Sequence, residues 1–298
     1  MFGRYLSRLR RGGKNGGLAS GFQQERVTSA FEVVASLRTD PGCMRDVNED
    51  SGCHVHPGDP HLLGERGILT VVADGMGGHA AGEVASRIAI ETISRSYYYG
   101  SGEPSAALRR AFMEANRRIC EVAAGADNLR GMGTTCTALA LCGERAFIAH
   151  VGDSRLYLLR NGRLYLLTED HSIVMEMVRR GTLSREEARH HADRNVITRA
   201  LGTNSNVDIY MPASPLTVRI GDIFMLCSDG LHDLVEDREL EQILVMTSTP
   251  YEASERLIAL ARARGGYDNI TIGVVKLRPV NRSATERAPV TRETEAVE

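Results

Sequence analysis

Four aspartates stand where apolar segments begin or end, and a fifth closes a polar cluster after a strand-turn unit. Asp74 and Asp229 each close an apolar run with the dipeptide Asp-Gly, in ILTVVADG and IFMLCSDG. Asp153 ends a third run in AHVGDS, Asp268 precedes a fourth in YDNITIGVV, and Asp50 closes the polar stretch RDVNED. Singly, an aspartate at a strand end is an ordinary turn former or cap. Five of them, in a fold whose strands converge on one core, predict a shared acidic rim. Like charges crowded together disfavour ionisation, so such a rim is costly unless cations neutralise it. Ligands that are all oxygen favour Mg2+ or Mn2+ over zinc. Two such ions about 3.5–4 Å apart form a clamp for phosphoryl hydrolysis, lowering the pKa of a bridging water so that it attacks at neutral pH. Arg45, beside Asp50 in sequence, would supply a fork for a phosphate's non-bridging oxygens. No Ser-His-Asp, Cys-x5-Arg or Walker pattern competes. That points to direct attack by water rather than to a covalent enzyme intermediate.

The stretch ILTVVADGMGGHAAGE illustrates how one of these acids is positioned. Residues 68–73 read as a buried strand, and a helix follows from about His79. Gly75, Gly77 and Gly78 let the backbone approach something closely and tolerate positive φ. Read alone, the stretch leaves a metal, a phosphate and a plain strand-to-helix turn all open. The other elements repeat the theme. Strands are predicted over 31–37, 134–141, 146–151, 223–227 and 270–277, and residues 54–66, rich in His, Pro, Gly and Asp, read as a loop. Apolar residues at helical spacing predict helices over 80–98 and 104–124, long and one-sided, as suits a cover for a sheet. Further helices are expected over 237–246 and 250–264. Two β-rich runs joined by Asn161-Gly162 predict a hairpin with a type I′ turn.

Residues 168–208 change character and read as an insertion between strands, a candidate lid. Asp170 is expected to cap a short helix through 180, and Ser184 with Glu187 to form a capping box for a second through 191. His171, His190, His191, Asp193 and Arg194 make the segment polar and exposed. A His/Asp zinc site is the sharper alternative there. Against it, neighbouring His190 and His191 point to different helix faces and no cysteine is near.

The chain has 298 residues, 42% hydrophobic and 25% charged, with a net charge of −2. These are values of a soluble globular protein, and they argue against a general nucleic-acid binder. Six cysteines without a CxxC pair read as reduced thiols, no apolar stretch is long enough to span a membrane, and a cytoplasmic monomer is the expectation. Residues 1–28 read as a basic flexible tail, with a short amphipathic helix touching an acidic partner or a membrane surface as the alternative. Residues 279–298 read as a second tail, leaving 29–278 as one domain.

RDVNED, VVADGMGGH, GMGTTCTAL, AHVGDSRLYL, EDHS, ITRALG, MLCSDGLHD and YDNITIGVV resemble, in this order, the metal-dependent protein phosphatases (PPM family, type 2C) in their bacterial form. The resemblance covers about residues 31–278. It implies an α+β fold, a four-layer α/β/β/α sandwich of two antiparallel sheets with helices on both outer faces. It also implies hydrolysis of phosphoserine and phosphothreonine in proteins, with two Mn2+ or Mg2+ ions and a weaker third, opposite a bacterial Ser/Thr kinase. Carried over by position, Asp74 resembles the ligand bridging both metals and Gly75 the residue lending a carbonyl. Asp229 and Asp268 resemble the remaining ligands, and Asp50 with Glu49 the acidic pair that contacts a metal directly or through water. Asp153 corresponds to the acid of the weaker third ion, Arg45 to the phosphate-binding arginine, and 168–208 to a variable flap. Animal members place a histidine after the Asp-Gly as a proposed general acid. Met76 stands there here, with His79 close in sequence. Two other functions compete: a catalytically silent regulatory module, and a hydrolase of another phosphoester such as a nucleotide. Every expected acid is present, against the first. The chain has no Trp and 5% aromatics, so it supplies no base-stacking platform for the second.

Overall fold

Alternation along the strands sets the architecture. In Ile68–Ala73 every residue is buried, yet Val71 packs into one apolar cluster and Val72 into another. A strand with both faces buried needs a layer on each side. The computed structural model describes residues 31–77 and 80–280. The predicted tail over 1–28, nearly all of the one over 279–298, and His79 lie outside the described residues.

The strands, in chain order, begin with β1 (Phe31–Asp40), β2 (Ser51–Val55), β3 (Ile68–Ala73) and β4 (Gly75–Met76). Next come β5 (Gly133–Thr134), β6 (Cys136–Cys142), β7 (Arg145–Val151), β8 (Arg155–Arg160) and β9 (Arg163–Leu166). The last three are β10 (Leu216–Thr217), β11 (Ile223–Cys227) and β12 (Ile270–Pro279). One antiparallel sheet runs β1-β12-β11-β8-β9, and the other runs β10-β7-β6-β3-β2. Between them lies a cluster built from Val72, Leu139, Ile148, Leu156, Leu158, Phe224 and Leu226.

Of the helices, α1 (Pro60–Arg66), α2 (Ala80–Tyr99) and α3 (Pro104–Gly125) precede the hairpin, and α4 (Ile173–Arg179) and α5 (Arg185–His190) occupy the flap. Then follow α6 (Asp229–His232), α7 (Asp237–Met246) and α8 (Pro250–Ala263). The apolar stripes of α2 and α3 cover β3, β6 and β7, while α7 and α8 cover β8, β11 and β12. The result is the α/β/β/α sandwich expected. None of the described helices is long and apolar enough to cross a membrane.

Two details match their sequence signals and three differ. Asn161 and Gly162 both have positive φ, 53° and 75°, as a type I′ turn requires. Ser184 and Glu187 form the capping box that starts α5. The stretch predicted as a loop over 54–66 instead contains the end of β2 and all of α1. Asp59 accepts a hydrogen bond from the His61 N–H and Pro60 fills the first helical position, a start signal hidden in a Pro/Gly-rich context. The cap of α4 is Ser172, whose Oγ accepts from the Met175 N–H, because Arg155 holds the Asp170 carboxylate instead. The flap is also less exposed than its composition suggests, with His171, Val174, Met175 and Ala188 buried.

Candidate active site

Three chain segments far apart in sequence meet at one end of the sandwich. At the end of β3, the Asp74 N–H donates to Thr135 Oγ1 at 3.1 Å, and its carbonyl accepts from the Thr135 N–H at 2.9 Å and Thr134 Oγ1 at 2.8 Å. Gly75 follows where only glycine fits, since a Cβ would lie 2.2 Å from the Gly82 carbonyl oxygen and 2.5 Å from that of Glu49. At the end of β11, Asp229 is the first residue of α6. Gly230 beside it presses on the Asp268-Asn269 turn, where a Cβ would come within 2.1 Å of the Asn269 oxygen. The third segment, residues 41–50, is tied down by buried Asn269. Its Oδ1 accepts from the Glu49 N–H at 2.8 Å, and its Nδ2 donates to the carbonyls of Pro41 and Val47 at 3.0 and 3.1 Å.

These anchors aim the carboxylates. Ser228 Oγ donates to Asp50 Oδ2 at 2.7 Å and accepts from the Thr271 N–H at 2.9 Å. Arg45 Nη2 reaches Asp268 Oδ2 at 2.7 Å, and its guanidinium is half exposed. The Glu49 carboxyl lies against Gly82 at the start of α2, so Glu49 and Asp50 point in different directions. Asp153 is buried in the β7–β8 connection, and His232 Nε2 meets its carbonyl at 3.1 Å. Met76 is half-buried on β4.

The electrostatics are those of a crowded acidic site. Burial, followed by repulsion from Asp50, Asp229 and Asp153, holds the Asp74 carboxyl well above the usual carboxylate range. Burial likewise pushes Asp50 up to about 7, against the pull of Ser228 and Thr271 and with repulsion from Asp229 and Asp268. Asp153 and Asp229 are raised for the same first reason. The buried Oδ1 of Asp229 has no hydrogen-bond donor. Among the described residues no three His, Cys, Asp or Glu side chains already stand in an ion-holding geometry. Asp268 and Asp50 are instead turned to Arg45 and Ser228. The donor set nonetheless fits hard divalent cations, being all oxygen, mutually repelling and partly unsatisfied.

Asp74 thus feels the charges of Asp50, Asp229 and Asp153, and Asp50 feels those of Asp229 and Asp268, with Arg45 paired to Asp268. Asn269, Ser228, Thr135 and His232 were not singled out from sequence, although Ser228 and Asn269 are direct neighbours of Asp229 and Asp268. The flap histidines do not gather. His171 stacks on His150 at 4.8 Å and its Nδ1 accepts from the Gly152 N–H, while His190 pairs with Glu186 and His191 with Asp193. Burial keeps His150 near 4 and His171 near 3, so both are neutral internal partners. Asn269→Ala removes three hydrogen bonds from a buried anchor, and unfolding in urea should show a loss of about 3 kcal/mol.

Residues 60–262 match the family described as protein phosphatase 2C. The serine/threonine phosphatase stp of Listeria monocytogenes is 39% identical over 247 residues, spanning 81% of this chain and 95% of that protein. The crystal structure of the Mycobacterium tuberculosis serine/threonine phosphatase PstP/Ppp superposes with a TM-score of 0.74 at 38% identity, over 83% of this chain and 99% of that one. A PstP catalytic domain solved in complex with two manganese ions gives a TM-score of 0.72 at 37% identity, over 83% and 98% of the two chains. The chain belongs to the protein phosphatase 2C family and is a metal-dependent serine/threonine protein phosphatase of the bacterial form.

Proposed function

We propose that the protein hydrolyses phosphoserine and phosphothreonine in proteins at a two-cation aspartate centre, reversing the action of a bacterial Ser/Thr kinase. Asp74, Asp229, Asp268 and Asp50, with the Gly75 carbonyl, would hold two Mn2+ or Mg2+ ions, with Glu49 next to Asp50. Asp153 would hold a third, weaker one. Divalent cations bound there would neutralise the crowded carboxylates and lower the pKa of water so that it attacks phosphorus at neutral pH. The observation that carries this reading is the buried Asp229 Oδ1, which has no donor and lies beside the raised carboxyl of Asp74.

The chain's own residues do the positioning. Ser228 fixes one oxygen of Asp50, and the Thr271 hydroxyl adds to the hold on that carboxyl. Asn269 sets the path of residues 41–49, and with it the place of Arg45. Arg45 gives one N–H to Asp268 and keeps further donors of its fork for the non-bridging oxygens of a phosphate. Met76 offers no proton to the leaving alcohol, and His79 lies outside the described residues.

The test is hydrolysis of a phosphothreonine peptide with Mn2+ and after EDTA. Activity should need the cation and return on re-addition. Turnover that survives thorough chelation would sink the two-cation reading.

A further inference from the structure

The flap faces the acidic centre across a cleft of about 230 Å3 that continues from Asp153 and Asp229. Its far wall is α5 and the turn after it, which contribute Arg185, Arg189 and Arg194 together with one acid, Glu186, 3.6 Å from His190. Most acids farther along the near wall already have partners. Arg155 holds Asp170 at 2.7 Å, and the Tyr157 hydroxyl donates to Asp237 at 3.0 Å. Asp233 lies 3.4 Å from His232 and 3.9 Å from Arg194.

Arg185 and Arg189 differ. Both are exposed, and neither makes an ion pair with a described residue. Four residues apart, they share one face of α5. The capping box at Ser184 and buried Ala188 fix how that helix sits. Two guanidinium groups without carboxylate partners are thus held at a set place beside the candidate phosphate centre.

We propose that Arg185 and Arg189 are specificity-determining residues that select polypeptides with acidic side chains flanking the phosphorylated residue. This rests on the function proposed above and names its substrate class. Guanidinium forks match carboxylates and phosphates in bidentate geometry, so aspartate, glutamate or a second phosphorylated residue would all be read. The cleft is smaller than the ~300–1,000 Å3 of small-molecule pockets, a size for side chains of a bound chain. It also runs on from Asp229, so a polypeptide whose phosphate sits at the centre would lay its flanking residues there.

The test compares kcat/KM for phosphothreonine peptides with acidic, neutral or basic flanks, in Mn2+. Acidic flanks should exceed basic ones by about tenfold at low salt, and the gap should narrow by 0.5 M. The Arg185→Glu, Arg189→Glu double variant should reverse that order, mainly through KM. The Arg185→Lys, Arg189→Lys pair should keep the order with a smaller ratio, because the charge is retained and the bidentate fork is lost. Glutamate is a good helix former and favourable at 185 in the first turn of α5; at 189, in the last turn, it opposes the helix dipole, so retained p-nitrophenyl phosphate turnover is the control for the fold of the variant. A flat ratio in the wild type, a preference for basic flanks, or an order unmoved by charge reversal overturns the inference. p-Nitrophenyl phosphate has no flanks. If the wild type fails to hydrolyse it and every peptide, the underlying function falls as well. If it hydrolyses that ester with a flat peptide ratio, the inference alone falls.

Discussion

Asp74→Asn should lower kcat/KM for a phosphothreonine peptide by about 10^3-fold or more, the several kcal/mol that cation stabilisation of a phosphoryl transition state supplies. The substitution keeps the shape of the side chain and removes its charge. Backbone bonds to Thr134 and Thr135 hold residue 74 whatever its side chain, so the strand end stays in place. What changes is the centre's negative charge and its affinity for cations. Calorimetric titration with Mn2+ should show weaker binding in step with the lost activity. The metal-free variant should be no less stable than the wild type, because repulsion with Asp50, Asp229 and Asp153 is relieved. A variant that kept a tenth of wild-type turnover would remove Asp74 from the centre. Unfolding of the variant would instead show that residue 74 supports the fold.

Much of this centre was legible because the local signals are strong. An apolar run ending in Asp-Gly says that a carboxylate leaves a buried strand at a tight turn. The boundaries of β3 and β11 fall where those runs begin and stop. What periodicity cannot supply is the meeting of segments that are distant in the chain. Arg45 and Asp268 are 223 positions apart, and only the pairing of β1 with β12 brings their turns together. Anchors were harder still. Asn269 and Ser228 are ordinary polar residues in sequence, and their roles follow from which backbone groups the fold leaves in need of partners. The misassigned cap shows the same limit. Asp170 and Ser172 are both good N-caps, and the choice fell to Arg155 on a neighbouring strand. Helix α1 was missed for a different reason. Its Asp59-Pro60 start was present, but composition outweighed it. The half-buried β2 lacks the apolar run that marks β3.

The second large effect is on stability, and its sign is set by the raised carboxyls. Asp50, Asp74, Asp153 and Asp229 titrate higher in the folded chain than an unfolded aspartate near 3.9. The metal-free folded state therefore binds more protons than the unfolded one. Stability from this source is complete below about pH 4 and is lost as pH rises through the folded values, about 7 for Asp50. The buried, neutral His150 and His171 work in the opposite direction, adding stability as pH climbs to about 6.5. Between pH 6.5 and 8 the raised aspartates set the trend, and the buried, raised thiols of Cys53, Cys136 and Cys227 act in the same direction near its upper end. Asp50, titrating at about 7, alone costs roughly 1 kcal/mol across that window, and the other raised carboxyls act in the same direction. In EDTA, Tm should fall by at least about 2–4 °C between pH 6.5 and 8, at 2–4 °C per kcal/mol in a domain of this size. Saturating Mg2+ should oppose the fall, adding about 2.7 kcal/mol per site at a hundredfold excess over Kd. The gain should be larger at pH 8, where fewer protons compete for the ligands. In Asp74→Asn both the pH slope and the cation gain should shrink together. A metal-free Tm that is flat or rising from pH 6.5 to 8 would contradict the raised carboxyls. A slope that Mg2+ leaves unchanged would separate the acidic cluster from any cation.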